Sequence, residues 1–233
     1  MRAASPSAPR ARNPLPDLFS KTRSNGGRTI RCRRPPRFGK ACLIGNRRVK
    51  VLAQSTFMDT SVDEKLRFIL ERRSIRVYAP GEVSEEHVQR LLAAAMAAPS
   101  AAARHPWRFV VMRQRQTLLR IAAALPYGQM LASAALGIAV CGDLEAAHDR
   151  QLSYLLQDCS AAIENLLLCA HVLGLGTCWL GVHPRENRIK SMKEILSLPA
   201  SILPVACISV GYPGESKEPR ATYDPDLVHF EAW

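Results

Sequence analysis

From about residue 63 onward, stretches with apolar residues three and four apart alternate with short, solid apolar runs. Helical spacing marks Asp63 to Arg72, Ser84 to Ala97, Gln116 to Leu125 and Arg185 to Leu196. At the second of these Ser84 stands as an N-cap candidate, with Glu85 and Glu86 in the first turn behind it. The solid runs are Trp107 to Met112, Leu136 to Cys141, Thr177 to Val182 and Pro204 to Val210, rich in β-formers and bounded by Gly or Pro. Strands interleaved with helices predict a sheet covered on its faces.

Leu152 to Leu173 reads as one long helix whose only carboxylates are Asp158 and Glu164. Apolar residues lie nearly all round it, so it is buried on several sides, centrally or in a large subunit interface. Gln157, Asp158, Ser160, Glu164 and Asn165 must then find partners there. The overlapping stretch Leu166 to Val182 holds 17 residues without a formal charge, the lower limit for a membrane span. Gly174-Leu175-Gly176 breaks it, which predicts the end of a buried helix, a turn and a buried strand, and no membrane crossing.

Charge divides the chain. The net charge of +12 comes from residues 1–57, where 14 Lys and Arg face Asp17 alone, whereas residues 58–233 are near neutral. The basic segment also has six of the sixteen prolines and no sustained periodicity, so we expect it to be disordered and the folded domain to span 58–233. Three explanations fit its composition: an Arg-rich leader, a nonspecific phosphate contact through Arg31, Arg33, Arg34, Arg37 and Lys40, or translation from an assumed start upstream of Met58. No recognition motif accompanies the charge, which argues against nucleic acid as a partner.

Five of the seven cysteines, Cys141, Cys159, Cys169, Cys178 and Cys207, fall in the domain in apolar surroundings, and none forms a C-x-x-C pair. Reduced, buried thiols in a cytoplasmic protein are expected, and zinc spacing is lacking. No G-x-G-x-x-G or G-x-x-x-x-G-K-[ST] occurs, so dinucleotide and P-loop sites have no support.

Candidate chemistry sits in three places. Arg72-Arg73-Ser74-Ile75-Arg76 follows the first helix, and forked guanidinium bonds plus a hydroxyl suit a phosphate; a cationic helix end suits the macrodipole equally well. Lys217 and Arg220 follow the Gly211-Tyr212-Pro213-Gly214 turn. Between them, Pro99-Ser100-Ala101-Ala102-Ala103-Arg104-His105-Pro106-Trp107 is a loop of small residues that lets a flat ligand approach the backbone, or is simply a tight connection.

These segments, with Gln157-Asp158-Cys159-Ser160-Ala161-Ala162 in the long helix and Gly174-Leu175-Gly176-x-x-Trp179-Leu180-Gly181, resemble in order and spacing the nitroreductase family of FMN-dependent oxidoreductases. The resemblance covers about residues 62–233 and includes the His229 to Trp233 terminus typical of one bacterial subgroup. It implies an α+β, three-layer α-β-α fold with a central mixed sheet and a long buried central helix, in a homodimer with FMN at the subunit interface. By position, Arg72, Arg73, Ser74 and Arg76 would hold the FMN phosphate and ribityl chain, joined by Arg220 and Lys217. Pro99, Ser100 and Ala101 would lie along the ring, and Leu180 and Gly181 would bring amides near N5.

The family commonly has Asn where this chain has Ala103, Gln where it has His105, and a second cation where it has Thr222. The implied reaction passes hydride from NADH or NADPH through flavin N5 to an electron-poor acceptor such as a nitroaromatic or quinone, with no protein nucleophile or general acid required. Other flavin chemistry on this fold, dehalogenation or flavin fragmentation, and a non-catalytic FMN or nucleic-acid binding protein are the alternatives.

Overall fold

A computed structural model describes residues 60–220 and 223–233. The basic segment 1–57 and Thr222 lie outside the described residues. Five helices, α1 (Thr60–Glu71), α2 (Glu85–Met96), α3 (Arg115–Ala124), α4 (Leu152–Val172) and α5 (Glu186–Leu196), alternate with five strands. The strands are β1 (Tyr78–Ala79), β2 (Trp107–Met112), β3 (Leu136–Asp143), β4 (Gly176–Gly181) and β5 (Ile202–Pro213). The Ser84 side chain accepts from the His87 N–H, as its cap position requires. β1, two residues without alternation, carries no sequence signal.

The sheet order is β1-β5-β3-β2, with β4 on the other part of the long β5. The expected mixed sheet is antiparallel in each of its named strand pairings, and the parallel component is the isolated Ser74–Thr177 bridge. The reason lies in the connections: residues 125–135 return along α3, so the chain re-enters the sheet beside the end it left and Met112 pairs with Gly137.

Two apolar layers make the three-layer stack. Leu136, Ile138 and Val140 of β3 and Ala206, Ile208 and Val210 of β5 face α2 and α4. Ala139, Cys141 and Cys207 alternate to the opposite face, where Cys178 and Leu180 of β4 join α3 and α5 residues Leu118, Ile121 and Met192. α4 is buried through Leu155, Cys159, Ile163, Leu166 and Ala170, and it ends where Gly174 takes the left-handed conformation, φ +72°, and turns the chain into β4. No helix among the described residues is long and apolar enough to cross a membrane.

Candidate functional site

The segment after α1 is fixed by its backbone at nearly every residue. Ile75 donates its N–H to Thr177 O at 2.9 Å, Lys217 Nζ donates to Ser74 O at 2.8 Å, and Tyr78 Oη reaches Ile75 O at 3.0 Å and Ser209 Oγ at 2.7 Å. Glu215 Oε1 accepts the N–H groups of Arg76 and Val77 at 2.6 and 3.3 Å and pairs with Lys217 at 2.9 Å. The Arg76 amide above all, then Lys217, holds the Glu215 carboxyl below its ordinary value. Burial pushes the Tyr78 phenol up, keeping it a neutral donor.

This scaffold presents cations to one cavity of about 780 Å³, lined by Arg72, Arg73, Ser74, Arg76, Lys217 and Arg220 with Ile69, Leu70 and Tyr223 at its sides. Its five cationic chains, three from the segment after α1 and two from beyond β5, converge because the turn after β5 folds against the segment after α1, residues more than 130 positions apart in sequence. Arg72 pairs with Glu164 of α4 at 3.5 Å, and Arg73 donates to the Glu218 carbonyl. Arg76 and Arg220 make no ion pair to a carboxylate among the described residues. Glu215 and Glu164 offset only part of the positive charge, so the cavity suits an anion with several acceptor oxygens.

A second cavity, about 250 Å³, adjoins the β4 edge and is lined by Arg76, Tyr127, Trp179, Leu180, Gly181 and Arg188 among others. Arg76 lines both. Along β4, Thr177 O accepts from Ile75 and Gly181 O accepts from Arg188 Nη1 at 2.8 Å, so odd-numbered peptide groups face away from β5. Val182 N–H bonds to Val205 O, so even-numbered groups face β5. Of the two amides expected near a ring edge, that of Gly181 points to the open edge, while that of Leu180 points into the ladder and its side chain is buried. A Cβ at Gly181 would meet no atom within 4 Å.

The small-residue loop takes an unusual shape. Ala102, Ala103 and His105 have φ of 49°, 53° and 51°, the left-handed region that disfavours non-glycine residues. Ser100 Oγ accepts the His105 N–H at 3.0 Å and bonds His105 Nδ1 at 3.2 Å, and the His105 ring packs on Trp107 at 5.2 Å. Asp158 Oδ1 accepts the Ala101 N–H at 2.9 Å, tying the loop to α4. None of Pro99, Ser100, Ala101, Ala103 or His105 lines the cationic cavity within one chain. Asp158 and Glu164 explain why: six residues along an α-helix are about 9 Å apart and face about 120° away from each other.

The structure brings the predicted cations together and sets the predicted loop apart from them, while Glu215 and Tyr78, whose partners are distant in sequence, and Arg188 carry no local signal. For Asp158 and Glu164 a signal existed, as carboxylates in a nearly all-apolar helix. The domain cysteines are free thiols; burial pushes Cys141, Cys159 and Cys207 up to about 12, leaving them protonated and unreactive. Burial likewise raises Cys178, opposed by the nearby Arg76 and Lys217.

The sequence model of the Nitroreductase family matches residues 69–135 and 122–212. A protein of Archaeoglobus fulgidus provisionally named NADH dehydrogenase/NAD(P)H nitroreductase is 43% identical over 175 residues, covering 74% of this chain and 100% of its own. A crystal structure under the same provisional name from Parabacteroides distasonis superposes with a TM-score of 0.69 at 38% identity, over 73% of this chain and 99% of that one. A provisionally named nitroreductase from Desulfovibrio desulfuricans, solved in complex with FMN, gives 0.63 at 33% identity over 72% and 96%. With its cation-lined cavity, its α-β-α layers and a family match that spans residues 69–212, the protein belongs to the nitroreductase family.

Proposed function

We propose that this protein is an FMN-dependent NAD(P)H oxidoreductase that passes reducing equivalents to an electron-poor acceptor such as a nitroaromatic or a quinone. The observation that carries the reading is the convergence of Arg72, Arg73, Ser74, Arg76, Lys217 and Arg220 on one cavity, with Arg76 also lining the second cavity at the edge of β4. The residues fit the cofactor's chemistry: arginine forks for a phosphate, small side chains for a flat ring, an outward amide for a ring heteroatom. FMN, when bound, supplies the acceptance and redonation of hydride.

Arg72, Arg73, Arg76 and Arg220 hold the phosphate end, and Ser74 adds a hydroxyl. Lys217 acts mainly by fixing the Ser74 carbonyl. Arg76, which lines both cavities, would place positive charge between the phosphate and the ring. Gly181 rather than Leu180 would give its N–H to the ring. Because the loop 99–105 lies on another face of α4 from its own chain's cations, the loop that covers the ring comes from a second copy, making the working form a homodimer. Its reduced thiols fit the cytoplasm.

Purified full-length protein is expected to be yellow or to take up FMN, and to bleach anaerobically with NADH or NADPH. Arg72→Ala with Arg76→Ala is expected to lose the flavin. A colourless wild-type protein that does not take up FMN would overturn the assignment.

A further inference from the structure

We propose that Asp158 is a positioning residue of the active site, its buried carboxylate fixing where the loop 99–105 stands against the flavin ring. The inference deepens the flavin reading and rests on it.

Asp158 lies in the middle of α4 and is only 5% exposed, yet just one of its oxygens is used. Oδ1 accepts from the Ala101 N–H, whereas Oδ2 is buried with no hydrogen-bond partner among the described residues. A buried carboxylate with a bare oxygen is a destabilising choice at a position where a small apolar residue would pack. Its neighbours on the same helix, Cys159, Ala162 and Ile163, are fully buried and apolar. Such a departure from what stability favours marks a position kept for another purpose.

The loop supplies that purpose. Three non-glycine residues in the left-handed region, Ala102, Ala103 and His105, store strain that persists only where the surroundings over-determine the conformation. Most bonds that shape the loop are internal to it: Ala103 N–H to Ser100 O, Arg104 N–H to Ala101 O, and the two contacts between Ser100 and His105. They set its shape and say nothing about its place. The Asp158 bond joins it to a rigid buried helix; a long, exposed contact from Arg108 to the His105 carbonyl at 3.4 Å is a weak second tether. Ala101 is also one of the residues assigned to the ring face, so displacing this bond moves the surface the ring meets.

The test uses full-length holoenzyme carrying Asp158→Ala, Asp158→Asn or Ala101→Pro. Asn keeps an oxygen to accept the Ala101 N–H. Pro deletes that donor without touching the core, and Ser100, with φ −141° and ψ 154°, already has the extended backbone that precedes proline. Asp158→Ala and Ala101→Pro are expected to retain FMN through the intact cations, to shift the visible absorption and circular dichroism of the bound flavin, and to raise KM for a quinone acceptor roughly tenfold, the scale of one charge-assisted hydrogen bond. Asp158→Asn is expected to restore both readouts. Wild-type flavin bands and KM in folded Asp158→Ala, or in Ala101→Pro should the alanine variant not fold, would overturn the proposal, whatever the melting temperature. Failure of wild-type protein itself to bind FMN would overturn the flavin reading instead, and this proposal with it.

Discussion

Lys217 donates to the Ser74 carbonyl oxygen at 2.8 Å, joining the turn after β5 to the segment that follows α1. The same ammonium lies 2.9 Å from Glu215 Oε1, so its charge serves the wall of the cavity before it serves any ligand. Lys217→Met keeps the length of the chain and deletes both contacts. It is expected to lower stability by about 1 kcal/mol and to weaken FMN uptake by about tenfold as the Ser74 segment loosens. Thermal unfolding of the apoprotein and fluorescence titration with FMN measure the two effects. Unchanged affinity would show that Ser74 needs no such strut.

Glu215 gives the wall a dependence on pH. Its carboxyl is held below the ordinary value of 4.5, first by the Arg76 N–H and then by Lys217. A carboxyl lowered on folding contributes stability that is full above its unfolded value and is lost as pH falls through the lower folded one. Glu215→Gln should therefore be less stable than wild type at neutral pH, with the gap closing below about pH 4.5. Melting curves of both proteins between pH 6 and pH 3 check this; a gap that stays constant across the range would remove Glu215 as its source.

What could be read from sequence follows from the range of the interactions. Trp107–Met112 is found to the residue because strand character is local, and the Ser84 cap and the break at Gly174 are local too. The direction of the strands is not legible because it depends on how residues 125–135 return along α3, which no periodicity encodes. In the site, the Arg72–Arg76 cluster announces itself by composition. The acceptor that orders it, Glu215, looks like any surface glutamate until the fold brings it to the Arg76 amide, 139 positions away. The left-handed shape of Ala102 and Ala103 is equally hidden, since alanine is among the residues least expected there.

That strain is measurable. Ala103 has φ 53° and is exposed, so a residue that tolerates the left-handed region should relieve the cost without disturbing packing. Ala103→Asn is expected to stabilise the protein by about 0.5–1 kcal/mol, a rise in melting temperature of about 1–4 °C for a domain of this size. Differential scanning calorimetry of the apoprotein is the direct measure. A lower melting temperature would mean that the left-handed backbone at this position is not what limits the loop.

Two glycines of β4 separate folding from ligand binding. At Gly176 a Cβ would stand 2.8 Å from Ile75 Cγ2 and 2.9 Å from Ile75 Cβ, closer than real contacts allow. Ile75 is buried, and its N–H makes the bond to Thr177 that seats the cationic segment, so it has little freedom to yield. Gly176→Ala is therefore expected to destabilise the fold by about 1–3 kcal/mol, as overpacking does. Gly181, at the other end of the strand, has nothing within 4 Å of the same added carbon, and its N–H faces the open edge. Gly181→Ala should melt within about 0.5 kcal/mol of wild type. Its added methyl then stands where the ring approaches, so flavin affinity and turnover should fall although the fold is unchanged. Calorimetry paired with FMN titration on both variants distinguishes the cases. Full FMN affinity and turnover in Gly181→Ala would move the ring away from this edge of β4, and wild-type stability in Gly176→Ala would mean that the contact between β4 and Ile75 is looser than these distances require.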